Sequence, residues 1–176
     1  EDDPLAKYIN TGETPVYHKS QVLYGLDLAK KDIASKRQVV VVEGYTDVMA
    51  CHLAGITTAV ATCGTAFGDD HIRRINQLFG SSDAPAQVIF TFDPDAAGQK
   101  AAMRAFESSG KFIASTFVAV GPEGLDPCDL RISRGDAAVL QMIETKRPIY
   151  EFALDQKIAG HDLSSYPGRL SAATAA

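Results

Sequence analysis

The chain is expected to fold as an α/β domain: a four-stranded parallel sheet covered by helices on both faces, with an N-terminal extension and C-terminal helices. Two observations predict this. Four short apolar runs, at 38–43, 57–62, 87–92 and 112–120, are rich in β-branched and aromatic residues, and continuous apolar runs of that length suit strands buried on both faces. Helical patterns alternate with these runs, which is the order of elements that winds into a parallel sheet.

Each element has its own justification. Residues 1–19 are polar and broken by Pro4, Gly12 and Pro15, so they are expected to be irregular. From 20 to 35, Leu23, Leu26, Ala29 and Ile33 recur at helical spacing, with Lys30, Lys31 and Asp32 on other faces. The first strand, 38–43, leads into a helix over 45–54 that places Val48, Cys51 and His52 near the sheet and stops at Gly55. After the second strand, 57–62, and the turn Cys63-Gly64-Thr65, Asp69 or Asp70 can cap a helix running to Phe79. The third strand precedes a helix over 96–108. The fourth is followed by a loop at 121–127, a short helical turn at 129–132, a helix over 136–145 capped near Gly135, and the start of another over 149–158. The expected organisation is an N-terminal segment with linking helix at 1–36, a catalytic α/β domain at 37–133, and the start of a helical subdomain at 134–176.

Composition excludes several classes. Of 176 residues, 45% are hydrophobic, without a long apolar stretch or a low-complexity tract. A membrane span and wholesale disorder are therefore not expected. The net charge of −5 argues mildly against broad, nonspecific phosphate binding, although clustered metal-binding carboxylates lower the formal charge. Cys51, Cys63 and Cys128 are widely spaced and form no Cys-x-x-Cys pair, so neither a zinc site nor a disulfide framework is indicated. The start, Glu1-Asp2-Asp3-Pro4, lacks the basic and apolar regions of an export signal. The expected setting is a reducing cytoplasm, and both ends are expected to be cuts within a longer protein.

The candidate chemistry lies at the ends of the strands. The first ends in Glu43-Gly44 and the third in Asp93-Pro94-Asp95. In open parallel sheets the functional crevice lies outside the carboxyl ends of the strands, so Glu43, Asp93 and Asp95 are expected along one edge. Gathered carboxylates repel unless a cation sits among them, and Mg²⁺ or Mn²⁺ suits oxygen ligands. Each motif also has a plain structural reading. Glu43 suits a helix start by the macrodipole, Asp-Pro starts turns, and Asp126-Pro127-Cys128-Asp129 reads by default as a surface loop.

The combination is more specific than its parts. Glu-Gly after the first strand, Gly-Thr after the second, Asp-x-Asp-x-x-Gly after the third and an acidic turn after the fourth resemble the TOPRIM domain, shared by primases, topoisomerases and some nucleases. The flanks, Lys7-Tyr8-Ile9-Asn10-Thr11-Gly12-Glu13-Thr14, Tyr17-His18-Lys19 and Leu23-Tyr24-Gly25-Leu26, with Val42-Glu43-Gly44-Tyr45-Thr46-Asp47-Val48, are similar to the RNA polymerase core of bacterial replicative DNA primases over roughly residues 5–170. The resemblance implies catalytic roles for Glu43, Asp93 and Asp95. It implies a metal cluster of Glu43, Asp47, Asp93, Asp95, Asp126 and Asp129, and a nucleotide site of Lys7, Tyr8, Asn10 and Lys19. Read without the family, Lys7 and Lys19 are solvated charges and Tyr8 a packing residue. The family pattern after the fourth strand is Asp-Pro-Asp, whereas Cys128 follows Pro127 here. A thiol is a poor magnesium ligand, so either Asp129 substitutes or the cluster has one carboxylate fewer.

The implied reaction is DNA-directed RNA primer synthesis, a metal-dependent nucleotidyl transfer in DNA replication. Glu43 either ligates a metal or accepts the proton of the attacking 3′-hydroxyl. The implied partners are a single-stranded DNA template, ribonucleoside triphosphates, and a replicative helicase through a region absent from this chain. These residues alone are expected to make few primers. Two rivals stand beside this: TOPRIM strand cleavage by a nuclease or topoisomerase, and a non-catalytic module whose acidic turns are merely caps.

Overall fold

The computed structural model describes residues 12, 14–15, 18–62, 66–92 and 96–175. The elements in chain order are α1 (Leu26–Lys36), β1 (Gln38–Val42), α2 (Tyr45–Leu53), β2 (Ala59–Ala61), α3 (Asp69–Phe79), β3 (Gln87–Thr91), α4 (Ala96–Ser108), β4 (Ser115–Ala119), α5 (Pro127–Arg134), α6 (Asp136–Glu144), β5 (Arg147–Pro148), α7 (Ile149–Ile158) and α8 (Tyr166–Ala175).

The sheet runs β2-β1-β3-β4-β5. The first four strands are parallel, with Val40 opposite Ala59, Val41 opposite Phe90, and Phe90 opposite Val118. The fifth corrects the expected strand count. Arg147 and Pro148 pair antiparallel with Val118 and Phe117. Two residues containing a proline carry no strand periodicity, so only the neighbouring edge makes them a strand. Proline is tolerated on such an edge, where its missing N–H breaks no ladder.

The period of two along the strands splits the core into two layers. Val39, Val41, Val60, Val88, Phe90 and Val118 face α1, α3, α4 and α7, where Ile33, Ile75, Phe79 and Ile149 complete the packing. Val40, Val42, Ala59, Ala61, Ile89 and Ala119 face α2, α5 and α6, represented by Val48, Cys51, Leu130, Val139 and Met142. Both faces are therefore covered, as expected. These β-branched and aromatic side chains are almost wholly excluded from water. Each fully buried Val, Ile or Phe contributes about 1.5–3 kcal/mol over leaving it exposed.

Two local expectations are corrected. The first helix begins at Leu26 rather than near residue 20. Gly25 adopts φ 80°, and Tyr24 exchanges backbone hydrogen bonds with Ala61: its N–H donates to the Ala61 carbonyl at 2.7 Å and its carbonyl accepts from the Ala61 N–H at 3.1 Å. That bridge extends the free side of β2, and a helix through Tyr24 cannot make it. A Cβ on Gly25 would also lie 2.8 Å from Val48 Cγ1. Second, neither Asp69 nor Asp70 is the cap of α3. Gly68 takes that position and donates its N–H to His71 Nδ1 at 3.2 Å. Asp69 pairs instead with Lys111 and Asp70 with Arg73.

Candidate active site at the carboxyl edge of the sheet

Three described segments meet where the parallel strands end. β1 delivers Glu43, exposed and one residue before the N-cap of α2. β2 delivers Thr62, half-buried. β3 delivers Phe92, also half-buried. With Val41, Val42, Ala66, Phe67, Phe90, Thr91, Ala101 and Arg104, these line a cleft of ≈ 280 Å³. The cleft is mostly apolar, with a carboxylate from Glu43 and a guanidinium from Arg104 at its rim. Thr62 and Arg104 belong to none of the sequence motifs. Arg104 sits in the third turn of α4, and its i, i+4 relation to Lys100 is the signal that was available.

Asp47 lies one turn after Glu43 and is buried, 5% exposed. Its Oδ2 accepts the Gly44 N–H at 2.9 Å, and its Oδ1 accepts the Cys128 N–H at 3.3 Å. The first bond caps α2. The second ties the start of α5 to α2 across the sheet's end. Both bonds use N–H groups that a helix N-terminus leaves unpaired.

Asp126 is the N-cap of α5, with Oδ1 accepting the Asp129 N–H at 2.6 Å and Pro127 at the first helical position. The default reading of 126–129 as a surface loop is thus replaced by a capped, eight-residue helix from Pro127 to Arg134. The loop before it is fixed by close approach: a Cβ on Gly121 would collide with the Leu125 carbonyl. Asp129 is exposed and Cys128 half-buried. Burial pushes the Cys128 thiol up, and the carboxylates of Asp126 and Asp47 push the same way, against an opposing hydrogen bond with Thr46. A neutral thiol is no ligand for a hard cation.

Glu43, Asp47, Asp126 and Asp129 all derive from segments at this end of the sheet, yet among the described residues no three acidic, histidine or cysteine side chains stand close enough to hold a metal. Asp93 and Asp95 lie outside the described residues, as do Lys7, Tyr8 and Asn10. Lys19 begins a short 3-10 turn at Lys19–Gln21, with its side chain outside the description.

Comparison with known proteins agrees with this architecture. The family model described as "Toprim domain" matches residues 37–119, and that described as "DNA primase catalytic core, N-terminal domain" matches residues 1–30. A DNA primase of Streptomyces coelicolor is 60% identical over 172 residues, covering 98% of this chain and 27% of the relative. The crystal structure of the RNA polymerase domain of Mycobacterium tuberculosis primase DnaG matches with TM-score 0.85 and 49% identity, over 99% of this chain and 55% of that one. The same domain in complex with a double-stranded DNA oligomer bearing a 6-nucleotide overhang matches with TM-score 0.82 and 50% identity, again over 99% of this chain and 55% of that one. The chain thus spans 27% of the length of that curated relative. With a Toprim fold in the sheet and near-complete coverage by primase sequences and primase domain structures, the chain belongs to the bacterial DNA primase family, as part of its catalytic core.

Proposed function

We propose that this chain carries the catalytic edge of DNA-directed RNA primer synthesis, the metal-dependent transfer of a nucleotidyl group to a 3′-hydroxyl. The single observation that supports it best is the cleft at the carboxyl edge, where Glu43 at the end of β1 and Phe92, the last described residue before Asp93, line the same space. The family relationship favours primer synthesis over strand cleavage.

The donor chemistry suits Mg²⁺ or Mn²⁺: Glu43, Asp93 and Asp95 offer only hard oxygen ligands, and Asp47, Asp126 and Asp129 come from the same end of the sheet. A bound divalent metal supplies charge neutralisation for the attacking and leaving oxygens. The protein's part is positioning. Glu43 ligates metal or takes the 3′-hydroxyl proton. Asp47 and Asp126, whose oxygens accept backbone N–H groups, hold the starts of α2 and α5 in place and join the cluster through any remaining acceptor capacity. Lys7 and Lys19 hold triphosphate oxygens as point charges, and Tyr8 and Asn10 contact sugar or base. Ribonucleoside triphosphates and a single-stranded DNA template are the substrates, and a replicative helicase is the partner. The reaction belongs in the cytoplasm. No helix among the described residues is long and apolar enough to cross a membrane.

Calorimetry with Mn²⁺ tests the reading. The chain should bind the ion, and Asp93→Asn with Asp95→Asn should abolish binding while leaving the melting temperature equal or slightly higher, since like charges no longer face each other. Unchanged binding in the double variant excludes the site.

A further inference from the structure

Beyond the cleft, the exposed face of α4 continues into a second depression of ≈ 510 Å³, lined by Gln99, Lys100, Met103, Arg104, Glu107 and Gln156. Arg104 lines both spaces. Helical side chains lean toward the N-terminus of their helix, so Arg104 leans toward the carboxyl edge where the cleft opens. Lys100 lies one turn before it on the same face. Six cations of this net-acidic chain are matched in ion pairs: Lys36 with Asp32, Arg73 with Asp70, Lys111 with Asp69, Arg131 with Asp136, Arg134 with Glu123 and Arg147 with Asp155. Among the described residues, Lys100 and Arg104 have no such partner, although Glu107 is only one turn from Arg104. Two exposed, unmatched cations thus stand in line beside the cleft, flanked by the amides of Gln99 and Gln156, which can donate to phosphate or sugar oxygens.

We propose that Lys100 and Arg104 form a phosphate track, in which consecutive phosphates of one nucleic-acid strand rest on α4 as the strand passes the mouth of the cleft. Residues four apart on a helix are separated by about 6 Å along its axis, a spacing that one strand can follow phosphate by phosphate. Such contacts carry no base information, as suits an enzyme that copies any template. The track rests on the nucleotidyl-transfer reading above.

The test is fluorescence anisotropy of a labelled single-stranded oligothymidylate titrated with this chain over a series of salt concentrations. Lys100→Ala with Arg104→Ala should weaken binding about tenfold at low salt and reduce the slope of log K against log salt by about 1.4, the value for two phosphate contacts on a single strand. Lys30→Ala with Lys31→Ala removes the same charge from the exposed side of α1 and should leave the slope unchanged. Arg104→Lys should keep most of it. Equal losses in the two alanine pairs reduce the effect to net charge and overturn the track. An unchanged slope in the α4 pair, no oligonucleotide binding by the wild type, or weakened binding of a nucleoside triphosphate with oligonucleotide binding intact overturns it as well. Manganese calorimetry separates the failures: normal metal binding with any of these results sinks the track alone, whereas a wild-type chain that binds no manganese sinks the catalytic reading.

Discussion

The backbone N–H of Cys128 donates to Asp47 Oδ1 at 3.3 Å, a bond that joins positions 81 residues apart. The other oxygen of that carboxylate accepts from Gly44 at 2.9 Å. One buried acid thereby receives donors from the N-termini of both α2 and α5, where the helix dipoles favour negative charge. Whatever Asp47 contributes to a metal cluster, it also ties α2 to α5 at this end of the sheet.

Asp47→Asn should therefore destabilise the fold without any metal present. An amide can still accept the Gly44 N–H, but its NH₂ then faces the Cys128 N–H, and a buried donor is left unpaired. The expected loss is about 1–3 kcal/mol, with Asp47→Ala at least as large. Urea unfolding in the presence of a chelator measures it. A midpoint equal to wild type shows that the bridge carries no stability.

Glu43→Gln should behave in the opposite way. Glu43 is exposed, so the unfolding free energy should stay within about 0.5 kcal/mol. Nucleotide incorporation by the complete polymerase core should fall by about 10²-fold or more, the range for loss of a general base. Full activity in this variant removes Glu43 from the chemistry.

Lys7→Ala and Lys19→Ala should weaken ATP, GTP, CTP and UTP about equally, because contacts to phosphate do not read the base. Equilibrium binding with each nucleotide decides it. Strong selectivity for one of the four shows that these lysines contact bases.

Gly25→Ala meets two obstacles: φ 80° and a Cβ 2.8 Å from Val48 Cγ1. Together a left-handed alanine and an overpacked contact should cost about 2–4 kcal/mol. Thermal melting tests this. A variant as stable as wild type shows that the Tyr24–Leu26 turn relaxes freely.

Cys51 provides a pH signature. Burial, with the nearby Asp47 carboxylate adding to it, pushes its thiol up from 9.0 to about 12. The native state then holds this proton more tightly than the unfolded chain. The resulting stabilisation is complete below pH 9.0 and is lost as pH rises toward about 12. The difference in stability between wild type and Cys51→Ala should shrink across that window, by up to about 1.4 kcal/mol per pH unit. Urea unfolding of both proteins across the alkaline range tests the direction; a constant difference rejects it.

Much of this architecture is readable from the chain because the decisive signals are local. The valine run of β1 and the Val88–Phe92 run announce buried strands, and the acids that follow them point to the candidate functional edge. What could not be read depends on distant neighbours. Arg147 and Pro148 become a strand only through Phe117 and Val118. Tyr24 leaves its helical pattern because Ala61 offers a backbone partner, and Asp69 gives up the cap of α3 because Gly68 can use His71. Within the site, Glu43 and the Asp126 turn stood out as acids after strands. The double attachment of Asp47 needed the start of a helix 81 residues away, and Arg104 needed the folded position of α4.

The Tyr24–Ala61 bridge has a mechanical consequence. Ala61 ends β2 beside the candidate active-site edge, so Tyr24 is moored there and the chain leading back to Lys19 is a five-residue tether anchored at that edge. Fully extended, such a tether reaches about 17 Å. The Lys19–Gln21 turn is thereby tied to the edge strand and cannot move farther from β2 than that length allows.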